Sequence, residues 1–212
     1  MAEIPPETVV VTGFGIFGEY KINASWEVAK ELSKFNFEKE LGIKLVIEEI
    51  PVAYESVAEK VPQLWKQYNP VLVIHMGVSW MASELTIETC AHKSGYYKSD
   101  TCGKFPGNGE CCQGSCEKKQ AGLDLQQVVE QVNKTSHDVK ACLSCDAGRY
   151  LCEFIYYTSL CIDDTCTVFI HVPEINKPYS VAQMAEGVRK ILTVILSQIR
   201  LHSSKLAVQN EL

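Results

Sequence analysis

Three residues that lie far apart in the sequence have side chains and local settings suited to nucleophilic catalysis. The first is Cys152, which follows a strand end, a glycine turn and the start of a helical pattern in Ser144–Leu151. At a helix N-terminus the free backbone N–H groups and the helix dipole favour thiolate over thiol, and the same N–H groups can stabilise an oxyanion. We therefore interpret Cys152 as a candidate nucleophile, with an inert buried cysteine as the alternative.

The other two residues, His171 and Glu88, have the side chains of a base and of its orienting acid. His171 ends an apolar strand before Val172-Pro173, which places its imidazole at the C-terminal edge of a sheet, where open α/β folds bind ligands. A helix that begins near Cys152 can reach the same edge, as thiol activation by a histidine requires. Glu88 alternates with apolar neighbours, so its carboxylate can fix the imidazole tautomer. Structural roles for both residues remain the alternatives.

The elements that must position these residues follow an α/β pattern, because apolar β-branched runs alternate with segments of helical period. The predicted strands are Thr8–Thr12, Ile43–Ile50, Val71–His75, Asp138–Leu143 and Thr167–Val172. The predicted helices are Asn23–Phe35, Tyr54–Tyr68, Leu123–Lys134, Gly148–Leu160 and Ser180–His202, with a kink expected at Pro62. This order predicts a three-layer αβα fold around a largely parallel, open twisted sheet, which resembles phosphorylase/hydrolase-like folds.

Length and composition predict one domain over residues 1–212, since 212 residues with 46% apolar and 22% charged side chains can bury a sizeable core. Periodicity is lost at about residues 93–122, which predicts a cysteine-rich loop or arm. The net charge of −6 is spread along the chain without a basic stripe, so nucleic acid is not an expected partner.

The chain offers neither a signal-peptide pattern at its start nor a run of about 18 uncharged apolar residues, so no membrane association is expected and a cytoplasmic location is predicted. In a reducing compartment most of the ten cysteines are expected to be structural. Nothing in the sequence indicates the oligomeric state.

Two further patterns have alternative interpretations. Gly13, Gly15 and Gly18 form a G-x-G-x-x-G after a strand, but four residues separate the motif from the predicted helix cap at Asn23, whereas in the nucleotide-binding fingerprint the helix opens within the motif. The second pattern is a set of possible zinc ligands on the arm, which lacks the paired Cys-x-x-Cys knuckles of strong zinc sites: Cys102, Cys111, Cys112, Cys116 and the nearby His92. We predict no bound metal and no cofactor, with a zinc module as an alternative.

Two smaller features are interpreted as structural. Cys142 and Cys145 form a Cys-x-x-Cys without the flanking context of a redox motif, so their spacing is taken as coincidence. His75 lies on a buried strand and is expected to be a hydrogen-bonded core residue rather than a ligand.

Six ordered segments resemble the pyroglutamyl-peptidase I family of cysteine peptidases, in particular its animal members, from about Val9 to Ile199. They are Val11-Thr-Gly-Phe-Gly-Ile-Phe-Gly, Asn23-Ala-Ser-Trp, His75-Met-Gly-Val-Ser, Thr86-Ile-Glu, Asp146-Ala-Gly-Arg-Tyr-Leu-Cys-Glu-Phe-Ile-Tyr-Tyr-Thr-Ser-Leu and Phe169-Ile-His-Val-Pro. The resemblance implies a cysteine omega-peptidase that cleaves after an N-terminal L-pyroglutamyl residue through a thioester, acting on small peptides. It implies Cys152 as nucleophile, His171 as base and Glu88 as the acidic triad member.

The resemblance also implies a lactam pocket walled by Phe14, Phe17, Tyr150 and Leu151. Pyroglutamate has no charged α-amine, so an apolar slot with a few hydrogen bonds can accept it and reject an ordinary N-terminus. Trp80 departs from the family, which tends to have a small residue there, and it either narrows the pocket or caps its rim. A catalytically weak or inactive relative that binds capped N-termini is the alternative.

Overall fold

The computed structural model describes residues 6–18, 21–111, 114–136 and 138–209, with side chains described as far as residue 205. The strands of the described chain are β1 (Glu7–Phe14), β2 (Ile43–Ile50), β3 (Leu72–Val78), β4 (Leu85–Glu88), β5 (Cys90–His92), β6 (Lys118–Gln120), β7 (Ala141–Ser144) and β8 (Thr167–Val172). The helices are α1 (Ala24–Leu32), α2 (Phe37–Leu41), α3 (Tyr54–Tyr68), α4 (Leu125–Thr135), α5 (Leu151–Leu160) and α6 (Val181–Gln209).

The central sheet has six strands in the order β2-β1-β3-β8-β4-β7. The first four of these run parallel, β4 runs antiparallel to β8, and β7 is parallel to β4. The predicted α/β class with a largely parallel sheet is therefore confirmed. The reversal of β4 and β7 was not predicted, because strand direction depends on long-range pairing that local patterns do not encode.

Helices cover both faces of this sheet. One apolar cluster joins the sheet to α1, α2, α4 and α6, and a second joins it to α3 and α5. Central strands β1, β3 and β8 supply residues to both clusters, which explains why they are nearly all apolar. Helix α3 runs from Tyr54 to Tyr68 with Pro62 inside it, so the proline does not end the helix. No described helix has both the length and the apolar run that would carry it across a bilayer.

The segment predicted as a cysteine-rich arm folds back onto the second helical face. Its two ends pair as the antiparallel strands β5 and β6. Asp100 fixes the middle of the arm to the start of α3. Its carboxylate accepts hydrogen bonds from the backbone N–H groups of Tyr54, Cys102 and Lys104 at 3.0, 2.8 and 2.9 Å. Tyr96 is fully buried and packs edge-on against Phe154 of α5. The arm is thus placed beside the helix that carries Cys152.

Candidate active site

Cys152 is the second residue of α5, as its sequence setting predicted. The turn between β7 and α5 is shaped by Asp146, whose carboxylate accepts the Gly148 N–H at 3.1 Å. Gly148 adopts φ 80°, a left-handed conformation that favours glycine. Tyr150 occupies the N-cap position without a side-chain cap bond, so the backbone N–H groups of the first turn are not taken by a capping side chain. Free N–H groups at a helix start beside the Cys152 sulfur can donate to an oxyanion.

The sulfur of Cys152 rests against the backbone of β3 at Gly77. A Cβ built on Gly77 would lie 2.6 Å from Cys152 Sγ and 2.9 Å from Phe169 Cζ, distances that real Cβ atoms do not adopt. Gly77 also pairs in register with His171 of β8. Sequence reasoning missed this residue as a site residue. The available signal was a glycine inside an otherwise apolar strand, which often marks a close approach.

His171 and Glu88 meet through the antiparallel pairing of β8 and β4. Thr86 lies opposite His171 and Glu88 lies opposite Phe169, so His171 and Glu88 are diagonal neighbours. Nδ1 of His171 and Oε1 of Glu88 are 2.9 Å apart, and both residues are buried. Because Nδ1 is engaged by the carboxylate, Nε2 is left for Cys152, whose sulfur interacts electrostatically with the ring.

The surroundings of His171 favour its protonated form. Burial lowers the pKa of His171, but the Cys152 sulfur and the Glu88 carboxylate outweigh burial and raise it to about 10. A ring this basic can take the proton of a neighbouring thiol, which generates a thiolate–imidazolium pair. The three side chains therefore form a chain in the order Glu88, His171, Cys152.

The structure brings all seven residues that the sequence nominated to one cavity of about 590 Å³. They are Glu88, Cys152, His171, Phe14, Phe17, Tyr150 and Leu151. Trp80 also lines this cavity while 66% of its surface remains exposed, so it stands at the rim and not across the interior. An interior with two phenylalanines, a leucine and few charges suits an uncharged ring better than a free amine.

The arm supplies one wall of the cavity through Lys98. Its Nζ lies 4.6 Å from the centroid of the Tyr150 ring, a cation–π contact. Tyr54 donates its hydroxyl to the Lys98 carbonyl at 3.1 Å, and Tyr150 donates to the Ser99 carbonyl at 3.2 Å. The sequence did not reveal that Lys98 reaches the site, because the arm has no periodic pattern from which its course could be inferred.

A buried carboxylate, on the residue after Cys152, anchors the turn before α5. Glu153 accepts the His92 N–H at 3.1 Å, contacts His92 Nδ1 at 2.8 Å, and accepts from Arg149 Nη1 at 2.8 Å. Arg149 Nη1 also donates to Asp146 at 2.8 Å. Burial raises the pKa of Glu153, and His92 and Arg149 oppose that rise. The network ties the turn before α5 to β5, and sequence reasoning had not singled out Glu153 or Arg149.

The glycine-rich segment at the end of β1 brings this strand close to α1. A Cβ on Gly13 would lie 2.6 Å from the Ser25 carbonyl oxygen, so glycine permits the close approach of β1 to α1. Asn23 caps α1 by accepting the Ser25 N–H at 3.1 Å and donates to the Gly15 carbonyl at 2.9 Å. The turn thereby places Phe14 and Phe17 in the cavity, whereas a phosphate-binding turn would open directly into its helix.

The possible zinc ligands are dispersed where they are described. Cys102 is exposed, Cys111 Sγ lies 3.4 Å from Thr158 Oγ1, and His92 contacts Glu153. Cys112 lies outside the described residues. Across the described ranges no three His, Cys, Asp or Glu side chains are grouped so as to hold a metal ion. In the Cys-x-x-Cys pair, the sulfur of Cys142 contacts Thr86 and Cys145 is exposed.

His75 is fully buried on β3, and burial lowers its pKa to about 3. Its Nδ1 lies 2.7 Å from Thr12 Oγ1, while its Nε2 has no hydrogen-bond partner among the described residues. His75 is therefore a neutral core residue that does not line the catalytic cavity.

Comparison with known proteins connects this geometry to one family. The sequence profile described as Pyroglutamyl peptidase matches residues 7–207. The chain is 40% identical over 204 residues to human Pyroglutamyl-peptidase 1, covering 96% of this chain and 97% of the human protein. It is 41% identical over 194 residues to Pyroglutamyl-peptidase 1 of Rattus norvegicus, covering 92% of each.

Among solved structures, a mutant pyrrolidone carboxyl peptidase from the hyperthermophile Pyrococcus furiosus has the same fold. The TM-score is 0.80 at 24% identity, over 91% of this chain and 99% of that one.

Proposed function

The chain belongs to the pyroglutamyl peptidase family, and we propose that it removes L-pyroglutamate from peptide N-termini with Cys152 as nucleophile, His171 as base and Glu88 as orienting acid. The observation that carries this assignment is the His171 ring, whose Nδ1 lies 2.9 Å from the Glu88 carboxylate and which lines one cavity with Cys152 and interacts electrostatically with its sulfur. All three line a cavity whose other walls are largely apolar.

The reaction begins with proton transfer from Cys152 to Nε2 of His171. The thiolate attacks the carbonyl carbon that follows the lactam ring, and the oxyanion accepts N–H bonds from the first turn of α5. His171 then gives its proton to the departing amine, which leaves a pyroglutamyl thioester on Cys152. A water molecule, deprotonated by His171, attacks the thioester and releases pyroglutamate and the free thiol. Glu88 holds the ring orientation in both halves.

Specificity follows from the charge of the substrate's first residue. A pyroglutamyl ring is neutral, whereas a prolyl ring of similar size carries an ammonium ion at neutral pH. Burying that ion among Phe14, Phe17 and Leu151 costs several kcal/mol unless a partner neutralises it. Lys98, a cation on the cavity wall, adds repulsion.

A matched pair of fluorogenic amides tests the proposal. Under reducing conditions, the purified protein should release the fluorophore from the pyroglutamyl amide with kcat/KM at least about 100-fold above that for the prolyl amide. Binding of the pyroglutamyl amide without its hydrolysis would support the inactive relative instead. Equal rates on both substrates would contradict the account of specificity.

We also propose that the protein acts on small peptides in the cytoplasm and that residues 1–212 work as one domain. The location is supported by the chemistry, since a reducing compartment keeps a reactive thiol in its active, reduced form. The single-domain assignment is supported by the sheet, whose strands contribute to the apolar clusters on both of its faces.

A further inference from the structure

A second, smaller cavity adjoins the catalytic one. Its volume is about 190 Å³, and it shares three lining residues with the catalytic cavity: Phe17, Val78 and Trp80. Its remaining walls come from the start of α1, with Ile22 and Ala24, and from the loop after β8, with Glu174, Ile175 and Lys177. Phe17, Val78 and Trp80 therefore form a wall common to both cavities.

The surface of this second cavity is apolar with a polar outer edge. Ile22 is 56% exposed and Trp80 is 66% exposed, although both are large apolar side chains. The two charged residues, Glu174 and Lys177, form an ion pair with each other at 3.1 Å. The cavity thus offers apolar contact area that water now covers, without a charge left over to attract a charged ligand.

We infer that this second cavity binds an apolar side chain of the leaving peptide, within the first two residues after pyroglutamate. The inference rests on the proposed function. Pyroglutamate is the first residue of its peptide and its nitrogen is closed into the ring, so no residue precedes it. A substrate attached at Cys152 can extend from the catalytic cavity only on the far side of the scissile bond. A substrate group other than the ring that enters the second cavity must therefore belong to the leaving peptide.

The dimensions define the ligand further. A volume of about 190 Å³ is below the roughly 300 Å³ at which pockets for whole small molecules begin, so the space suits a single side chain. The flat indole of Trp80 and the branched side chains of Ile22 and Ile175 offer contacts to leucine, isoleucine or phenylalanine. Glycine would leave this surface in contact with water.

The experiment compares three tripeptide amides, pyroglutamyl-Leu-Gly, pyroglutamyl-Gly-Leu and pyroglutamyl-Gly-Gly. The wild-type protein should cleave the better leucine substrate with kcat/KM about tenfold above the Gly-Gly substrate, the ratio typical of an apolar pocket. Ile22→Ser and Ile175→Ser should each reduce that ratio to about threefold or less. Leu201→Ser is the matched control, because Leu201 is 63% exposed on α6 and lines neither cavity. It should keep the wild-type ratio.

The outcomes separate this inference from the proposed function. If no pyroglutamyl substrate is cleaved, the proposed function is wrong. If all three are cleaved at similar rates by the wild type, or if the leucine preference survives both substitutions, the second cavity is not a substrate site.

The molecular mass in solution is measured in parallel. A variant that dissociates an oligomer while keeping the preference would assign the surface to a second copy of the chain and overturn the inference. Should Ile175→Ser fail to fold, the exposed position of Ile22 leaves Ile22→Ser to decide.

Discussion

Gly77→Ala places one methyl group between the nucleophile and the sheet. The added Cβ would lie 2.6 Å from Cys152 Sγ, whereas carbon atoms in contact normally stay about 3.5–4.0 Å apart. The sulfur or the strand must therefore move by about 1 Å. Phe169, on the other side at 2.9 Å, is fully buried and cannot yield easily.

The expected loss follows from this displacement. A shift of about 1 Å in a reacting group costs on the order of 100-fold in rate, because the attack geometry and the contact with His171 are both lost. We expect kcat/KM to fall by roughly that factor. Stability should fall by about 1–3 kcal/mol, the usual cost of inserting a methyl group into a packed region.

The assay combines hydrolysis of a pyroglutamyl amide with the rate of Cys152 alkylation by iodoacetamide, located by mass spectrometry. Both rates should fall in Gly77→Ala, and thermal unfolding should show that the variant is folded. Gly107→Ala is the control, since a Cβ on Gly107 meets nothing within 4 Å. A folded Gly77→Ala protein with activity within twofold of wild type would refute the proposed position of the nucleophile.

Three further predictions test the groups around Cys152. Glu88→Gln removes the carboxylate 2.9 Å from His171, so kcat should fall about 10- to 100-fold with little change in KM. The control Glu55→Gln, at an exposed ion pair, should not alter kcat. Unchanged turnover in Glu88→Gln would exclude an orienting role for Glu88. Arg149→Met breaks the ion pairs with Asp146 and Glu153 and should lower kcat/KM roughly tenfold. The control Lys104→Met breaks only the exposed ion pair with Glu55 and should leave kcat/KM unchanged. The pKa of His171 is raised from 6.5 to about 10, so its protonation stabilises the fold fully below pH 6.5 and progressively less as the pH rises to 10. Calorimetry should therefore show a steeper fall in melting temperature between pH 6.5 and pH 10 for the wild type than for His171→Gln. Equal slopes would contradict this prediction.

The parts of the fold and site that the sequence predicted are those governed by local rules. Strands β2 and β8 have the predicted bounds, and α3 begins and ends at the predicted residues. Cys152 at a helix start and His171 near a strand end are local features as well. Each follows from hydrophobic period, glycine placement and the direction of the chain, which short stretches of sequence contain.

The features that the sequence did not predict depend on contacts between distant segments. Strand β4 has only four residues, and its antiparallel pairing with β8 is what brings Glu88 to His171. The close approach of Gly77 to Cys152 arises from packing α5 on β3. The course of the arm depends on Asp100, whose three backbone bonds have no signature in composition.

The most direct test of the central claim is pyroglutamyl amide hydrolysis by Cys152→Ala, measured beside wild type and beside Cys145→Ala, an exposed cysteine in the turn before α5. The account predicts no turnover above background in Cys152→Ala and full activity in Cys145→Ala, with both variants folded. Hydrolysis by Cys152→Ala at the wild-type rate would contradict it.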